Sequence, residues 1–248
     1  MPEDRYAKVY GEDIAAFGGY PYSIPGAQLS SRIANRRRND AITAMCGLSG
    51  KKVIDVGCGD GTYTLEFLKA GPRDILGIDT VGAAISVAQS KAVGLDSIRF
   101  KVASVYDLGR LGENYDVAII RCVLHHLDDP ERAIGNITAV AREIVVVEPN
   151  GYSPVLKVIE KVSRYHRDHG ERSYFPSQID RWFTRHGGRV VDSRLYGFVP
   201  FFCPDGAARV LSAIEPVVER IPLVRMLACA FCVKHIVVEA PDRKRGKP

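Results

Sequence analysis

"VIDVGCGDGTYT", residues 53–64, sets the reading of the whole chain. Its apolar start (Val53, Ile54, Val56) has the length and composition of a short buried strand. Glycines at 57, 59 and 61 follow, and a helical pattern begins at Thr62. Glycine costs conformational entropy unless the chain needs its freedom or a neighbour must come close. A strand-to-helix turn of this kind also points backbone amides, with partial positive charge, out of the helix N-terminus. Taken alone, the pattern fits either a ligand-binding turn or a plain tight turn.

Outward from this turn the same alternation repeats. Strands are expected at 51–57, 74–79, 97–103, 115–121 and 143–149, and helices at 62–71, 81–94 and 129–141. Gly71 and Gly94 close two of these helices, and Pro130 sits where a missing N–H does no harm. Continuous apolar strands alternating with helices predict a parallel sheet covered on both faces. Upstream, residues 30–46 read as a helix with Ile33, Ile42 and Met45 inward, and a short helix is expected at 10–16. Downstream, 152–188 is polar, basic and helical, with Pro176 starting a helix. A strand at 189–198, an apolar helical stretch at 206–228 broken by Pro216 and Pro222, and a last strand at 232–240 complete the pattern.

The bulk numbers suit one globular domain. The chain has 248 residues, 46% hydrophobic and 25% charged, with a net charge of +5. Two basic clusters, Arg36-Arg37-Arg38 and the run Asp242–Lys247, read as a solvated helix face and a frayed end, since a nucleic-acid footprint needs a wider basic stripe with interleaved aromatics. Six scattered cysteines make no disulfide framework, and the lone Cys229-x-x-Cys232 pair does not suit zinc, so no metal is expected. No signal peptide and no apolar run of membrane-spanning length is evident, and the default expectation is a cytoplasmic protein.

Asp79 narrows the ligand. It ends the second strand, roughly twenty residues beyond the glycines, where a carboxylate can hold both hydroxyls of a ribose. Asp55 and Asp60 flank the loop and disfavour a pyrophosphate. A nucleoside with a positive centre suits them better, so the charges select S-adenosylmethionine over NAD; tighter NAD binding, as in a dehydrogenase, would overturn this.

In order along the chain, "VIDVGCGDGTYT", "GIDT", "FKVASVYDL", "NYDVAIIRCVLHHLDDPERAI" and "IVVVEPNG" resemble the class I S-adenosylmethionine-dependent methyltransferases, in their small-molecule, type 11-like group. The resemblance is close over about residues 30 to 150. It implies a Rossmann-like, doubly wound α/β fold with a seven-stranded sheet, mostly parallel with an antiparallel last strand. It implies one domain over 1–248: an N-terminal lid (1–29), a cofactor-binding core (30–150) and acceptor-side cap elements (151–188 and 199–230). It also implies roles. Gly57, Cys58 and Gly59 offer backbone to the methionine part of the cofactor, and Asp55 helps its amino group. Asp79 holds the ribose with Thr80 beside the adenine. Ser104 stands where the family often has an acid facing the adenine amino group; its hydroxyl can still pair there, and the Val105 amide can contact the ring. Arg121 lies where the methionine moiety and the acceptor meet. The product would be S-adenosylhomocysteine.

Methyl transfer needs an aligned nucleophile, exclusion of water and sometimes a base. His125 and His126 follow the fourth strand at the end where open α/β sheets place ligands, and either could deprotonate a hydroxyl acceptor, with His126 preferred. The plainer reading is a ring that caps the next helix or packs under the cofactor. His166 and His169 lack an obvious third metal ligand; Arg164, Arg167 and Arg172 beside them could receive an anionic acceptor. The apolar run 198–231 suggests a hydrophobic or lipid-linked acceptor, a dimer contact or a shallow membrane contact. Tyr6, Tyr10, Phe17, Tyr20 and Tyr22 suit a lid. The residues after the fourth strand, "RCVLHH", are not the NPPY-type signature of amide or exocyclic amine methylation, which argues against nucleic-acid acceptors. A small-molecule O-methyltransferase is the expectation, as a monomer or homodimer. An N- or C-methyltransferase of the same fold and a non-catalytic cofactor-binding protein are the alternatives.

Overall fold

Val53, Ile54 and Val56 are buried in β1 (Lys52–Val56), an interior strand. The computed structural model describes residues 11, 12, 14, 16, 18–20, 28–162, 172–201 and 203–238. The further strands are β2 (Asp74–Asp79), β3 (Ile98–Val102), β4 (Tyr115–Arg121), β5 (Ala141–Pro149), β6 (Gly188–Tyr196) and β7 (Ala230–Val237). They form one sheet in the order β3-β2-β1-β4-β5-β7-β6. β7 runs antiparallel to both of its neighbours, β5 and β6, and the remaining pairs are parallel. A bulge interrupts β6 between Val190 and Asp192.

The side-chain period of two divides each strand between two cores. Ile54, Leu76, Ala118, Ile120, Ile144 and Val146 face one side, against Ile134 and Ile137 of α4 (Pro130–Val140) and Ile179 and Phe183 of α6 (Pro176–Arg185). Val53, Ile75, Val117, Ile119, Val145 and Val147 face the other. There they meet Ile42 and Met45 of α1 (Leu29–Met45), Phe67 of α2 (Thr62–Phe67) and Ile85 and Ala88 of α3 (Gly82–Lys91). Local chemistry starts these helices. Asp129 caps α4 by accepting from the Arg132 amide at 3.0 Å, and Pro130 and Pro176 stand in first turns.

The doubly wound architecture agrees with the sequence reading, and β2 and β4 fall on the expected residues. Three local expectations need correction. Pro216 does not break a helix: α7 runs Asp205–Val218 through it, forgoing the one backbone hydrogen bond that a proline cannot donate. Ile33 is only partly buried in α1, which buries Asn35 and Asn39 instead. The basic cluster is not a uniformly solvated face. Arg36 is exposed, but Arg37 pairs with Glu215 and Glu219, and Arg38 lies against the Phe201 ring at 4.4 Å. The region 152–188 holds α5 (Pro154–Val162) and α6, and α8 (Pro222–Arg225) follows α7. The basic run at 242–247 lies outside the described residues. Among the described residues no helix is long and apolar enough to cross a membrane.

Candidate functional site

The carboxyl ends of β1, β2, β4, β5 and β6 and the amino end of β7 meet at one edge of the sheet. A cavity of about 720 Å³ opens there, and Val56, Asp79, Arg121, Pro149, Tyr196 and Ala230 mark the six strand ends in its wall. Open α/β sheets place ligands at this edge, and the volume is that of a small-molecule site.

The glycine loop forms part of the wall, and the protein itself crowds it. Gly57 has φ +74°, and a Cβ there would stand 2.4 Å from Val123 Cγ2. Gly59 has φ +56°, and a Cβ there would meet the Tyr20 ring at 2.5 Å. A larger residue at either position meets both strain and collision. The amides of Gly57 and Cys58 donate to the Ile78 carbonyl, and the Gly59 amide donates to Asp79 Oδ2. All three amides are therefore committed to holding the loop on β2. A ligand meets this loop through its carbonyls and through the space the missing side chains leave. The Cys58 thiol points inward and burial holds it in its neutral form.

Asp79 sits at the cavity wall. Its two oxygens accept from the amides of Gly59 and Val81, each at 2.9 Å. A carboxylate has about four acceptor positions, so each oxygen retains capacity for a ribose hydroxyl. Thr80 and Val105 line the same wall. Ser104 does not; its hydroxyl caps the next turn by accepting from the Tyr106 amide at 3.2 Å. Asp55 lies beneath the wall, 3% exposed. Its Oδ2 accepts from Thr64 Oγ1 at 2.6 Å, while Oδ1 is buried with no hydrogen-bond partner. Burial pushes its carboxyl up to about 6. Asp60 is spent: Lys91 Nζ lies 3.1 Å from its Oδ2 and, against the pull of burial, holds its carboxyl below the usual range. The charge logic expected of Asp55 and Asp60 thus rests on Asp55 and Asp79.

Arg121, at the end of β4, is placed by α1. Its Nε and a terminal nitrogen donate to Asn39 Oδ1 at 3.0 Å and Asn35 Oδ1 at 2.7 Å, and its guanidinium lies 3.8 Å from the Tyr63 ring centroid. Burial lowers its proton affinity. Among the described residues no carboxylate forms an ion pair with it.

The turn after β4 brings the histidines to the cavity. Cys122 adopts φ +59°, strained for a residue with a side chain, and this directs the chain into the short turn Leu124–His126. His125 and His126 both line the cavity, with ring centroids 3.9 Å apart. His125 is 3% exposed, and its Nδ1 lies 2.5 Å from Glu148 Oε2. The other oxygen of Glu148 accepts from the amides of Val123 and Leu124. One buried carboxylate thus holds both the turn and the ring. Arg172 donates to the carbonyls of His125 and Leu127 across the same turn.

Of the expected site residues, the structure gathers Gly57, Cys58, Gly59, Asp79, Thr80, Val105, Arg121, His125 and His126 around one cavity, and it sets Asp55 and Ser104 outside the wall. His166, His169, Arg164 and Arg167 lie outside the described residues, as do Tyr6, Tyr10, Phe17 and Tyr22. All six cysteines are free, and no metal-binding cluster occurs among the described residues. Glu148 and the Asn35–Asn39 pair escaped the sequence reading. A carboxylate ending the apolar run "IVVVEP" was the available sign for Glu148; nothing local marks the asparagines.

The donor set fits an S-adenosyl ligand: a carboxylate with spare acceptor positions at the ribose place, a buried carboxylate oxygen awaiting a cationic partner, and a loop without side chains between them. Comparison with known proteins agrees. A family model described as a methyltransferase domain matches residues 48–185, more than half of the chain. The chain is 32% identical to a ubiquinone biosynthesis O-methyltransferase of Hahella chejuensis over 112 residues, covering 44% of this chain and 46% of that protein. It is 28% identical to a tRNA U34 carboxymethyltransferase of Campylobacter jejuni over 93 residues, covering 37% and 32%. The chain thus spans about half, or less, of the length of these curated relatives. Its fold resembles that of magnesium protoporphyrin IX methyltransferase from Synechocystis PCC 6803, crystallised with S-adenosylhomocysteine, with a TM-score of 0.63, 16% identity and coverage of 95% and 94%. Sheet, site and matched family converge: the chain belongs to the class I S-adenosylmethionine-dependent methyltransferases.

Proposed function

We propose that this chain transfers a methyl group to the oxygen of a small, largely apolar acceptor, with His125 as the base. The observation that carries this reading is the buried Glu148–His125 pair at the cavity wall, one strand from the glycine loop. Bound S-adenosylmethionine supplies an electrophilic methyl carbon on a good leaving group. The chain does the rest. Asp79 accepts the ribose hydroxyls, and the 57–59 loop and Arg121 hold the methionine end. Thr80 and the Val105 amide flank the adenine; Ser104 shapes this wall by capping the turn. Glu148 accepts from Nδ1 of His125, which leaves Nε2 as the basic nitrogen for the acceptor's hydroxyl proton. His126, preferred on sequence, packs beside His125, with ring centroids 3.9 Å apart.

The acceptor is taken to be hydrophobic because α5 offers Leu156 and Ile159 to the cavity while Val155, Val158 and Val162 stay exposed, so apolar surface continues from the mouth to the outside. It is taken to be a small molecule rather than a nucleic acid because Arg37 and Arg38 turn inward. The Tyr20 ring over Gly59, with Ile14 against Val81 and Ala84, supports a lid role for the N-terminal segment.

Incubating the protein with methyl-labelled cofactor and a metabolite extract tests the function: an O-linked label in one small compound is expected. A label on nitrogen or carbon, or cofactor binding without any transfer, overturns it. Asp55 adds a pH signature. An ammonium above Oδ1 favours the ionised carboxyl, and with its acid form persisting to about pH 6, S-adenosylhomocysteine should bind about tenfold more weakly at pH 5 than at pH 7. Calorimetry of wild type and Asp55→Asn checks this; the same slope in both would remove Asp55 from the cofactor site.

A further inference from the structure

The basic side chains of the cavity exceed what its acids neutralise. Arg37 is paired with Glu215 and Glu219. Arg121 is held by Asn39, Asn35 and the Tyr63 ring, and Arg172 by the carbonyls of His125 and Leu127. Arg38 remains. Its guanidinium lies over the Phe201 ring, with Tyr196 and Cys229 in its neighbourhood, and among the described residues it has no carboxylate partner. Beside it stands an independent oddity. Tyr196, at the end of β6, lines the cavity, is 5% exposed, and its hydroxyl is buried with no hydrogen-bond partner. An unpaired buried hydroxyl costs about 1–3 kcal/mol, a cost that a ligand can relieve. Burial pushes this phenol well above its ordinary range, so it is a donor rather than a second anion.

We propose that the methyl acceptor carries a carboxylate, received by the Arg38 guanidinium and the Tyr196 hydroxyl, at the end of the molecule remote from the oxygen that is methylated. A charged fork and a neutral donor against one apolar wall suit the two oxygens of a carboxylate. The strand order sets the distance. β6, which carries Tyr196, is three places from β4, which leads into His125, or about 14 Å between backbones. Side chains from both ends shorten this gap, with the ends of β5 and β7 standing between them. The anchored carboxylate and the reacting hydroxyl are therefore separate groups, joined by an apolar spacer along the wall that holds Leu156 and Ile159.

This inference rests on the proposed function, and the test separates the two. Calorimetry is run on the full chain saturated with S-adenosylhomocysteine, with 3-phenylpropanoate and its uncharged amide as probes. The acid is expected to bind at least tenfold more tightly than the amide. Arg38→Met and Tyr196→Phe, both close in shape, should each lower acid affinity five- to tenfold or more while leaving amide affinity, S-adenosylhomocysteine affinity and melting temperature in place. Equal binding of acid and amide overturns the proposal. So does an Arg38→Met variant that loses S-adenosylhomocysteine instead, which would assign Arg38 to the cofactor. Failure of the wild-type chain to bind S-adenosylhomocysteine would overturn the proposed function, and this inference with it.

Discussion

Replacing His125 by Ala is expected to lower methyl transfer about 100- to 10,000-fold, the range of a lost general base, while S-adenosylhomocysteine binding changes little. The ring is buried and its Nδ1 is held by Glu148, so its tautomer and angle are set before an acceptor arrives. Glu148→Gln probes the same assembly from below. Glutamine has one carbonyl oxygen where glutamate has two accepting oxygens, and these serve the ring on one side and the Val123 and Leu124 amides on the other. If the carbonyl keeps the amides, the new NH₂ faces Nδ1 as a donor and moves the ring proton to Nε2, which removes the base. Glu148→Gln should therefore approach the Ala variant in turnover. Measured at saturating cofactor, so that Asp55 does not contribute, the acidic limb of the pH–kcat profile should disappear in both. His126→Ala is the control: if it costs more than His125→Ala, or if His125→Ala keeps its rate and profile, the base assignment is wrong and His125 only packs beneath the cofactor.

Asp79→Ala is expected to weaken S-adenosylhomocysteine binding about 100- to 1,000-fold. Two hydrogen bonds from ribose hydroxyls to a carboxylate, at about 1.5–2 kcal/mol each, account for this range. The same side chain anchors the Gly59 and Val81 amides, so its removal frees the loop as well as the ribose. Asp79→Asn separates the two effects: it keeps one acceptor and the side-chain volume, and should fall between wild type and Ala. Titration calorimetry reads the affinities and thermal melting reads the loop. An Ala variant within tenfold of wild type would move the ribose elsewhere.

Much of this could be read locally. The strands are short apolar runs and the helices begin and end at Asp129, Pro130, Gly71 and Pro176, all signals carried by neighbouring residues. The glycine loop and Asp79 belong to consecutive elements, and β1 pairs directly with β2, so their meeting follows from the alternation itself. What the local signals missed has a common cause. Arg121 is positioned by Asn39 and Asn35, 82 and 86 residues away, and His125 by Glu148 from the next strand. Arg36, Arg37 and Arg38 look alike in sequence, yet the 100° step of a helix sends one to solvent, one to Glu215 and Glu219, and one over the Phe201 ring.

The chain's order of residues was sufficient for the fold class and the cofactor family, because each depends on period, turn chemistry and adjacent elements. Folding in three dimensions set the Glu148 carboxylate behind His125. It also retired Asp60 through Lys91 and left Arg38 and Tyr196 facing one another's neighbourhood without an anion. Those outcomes depend on side chains from distant segments competing for the same partners in a shared interior, where burial makes an unpaired charge or hydroxyl count.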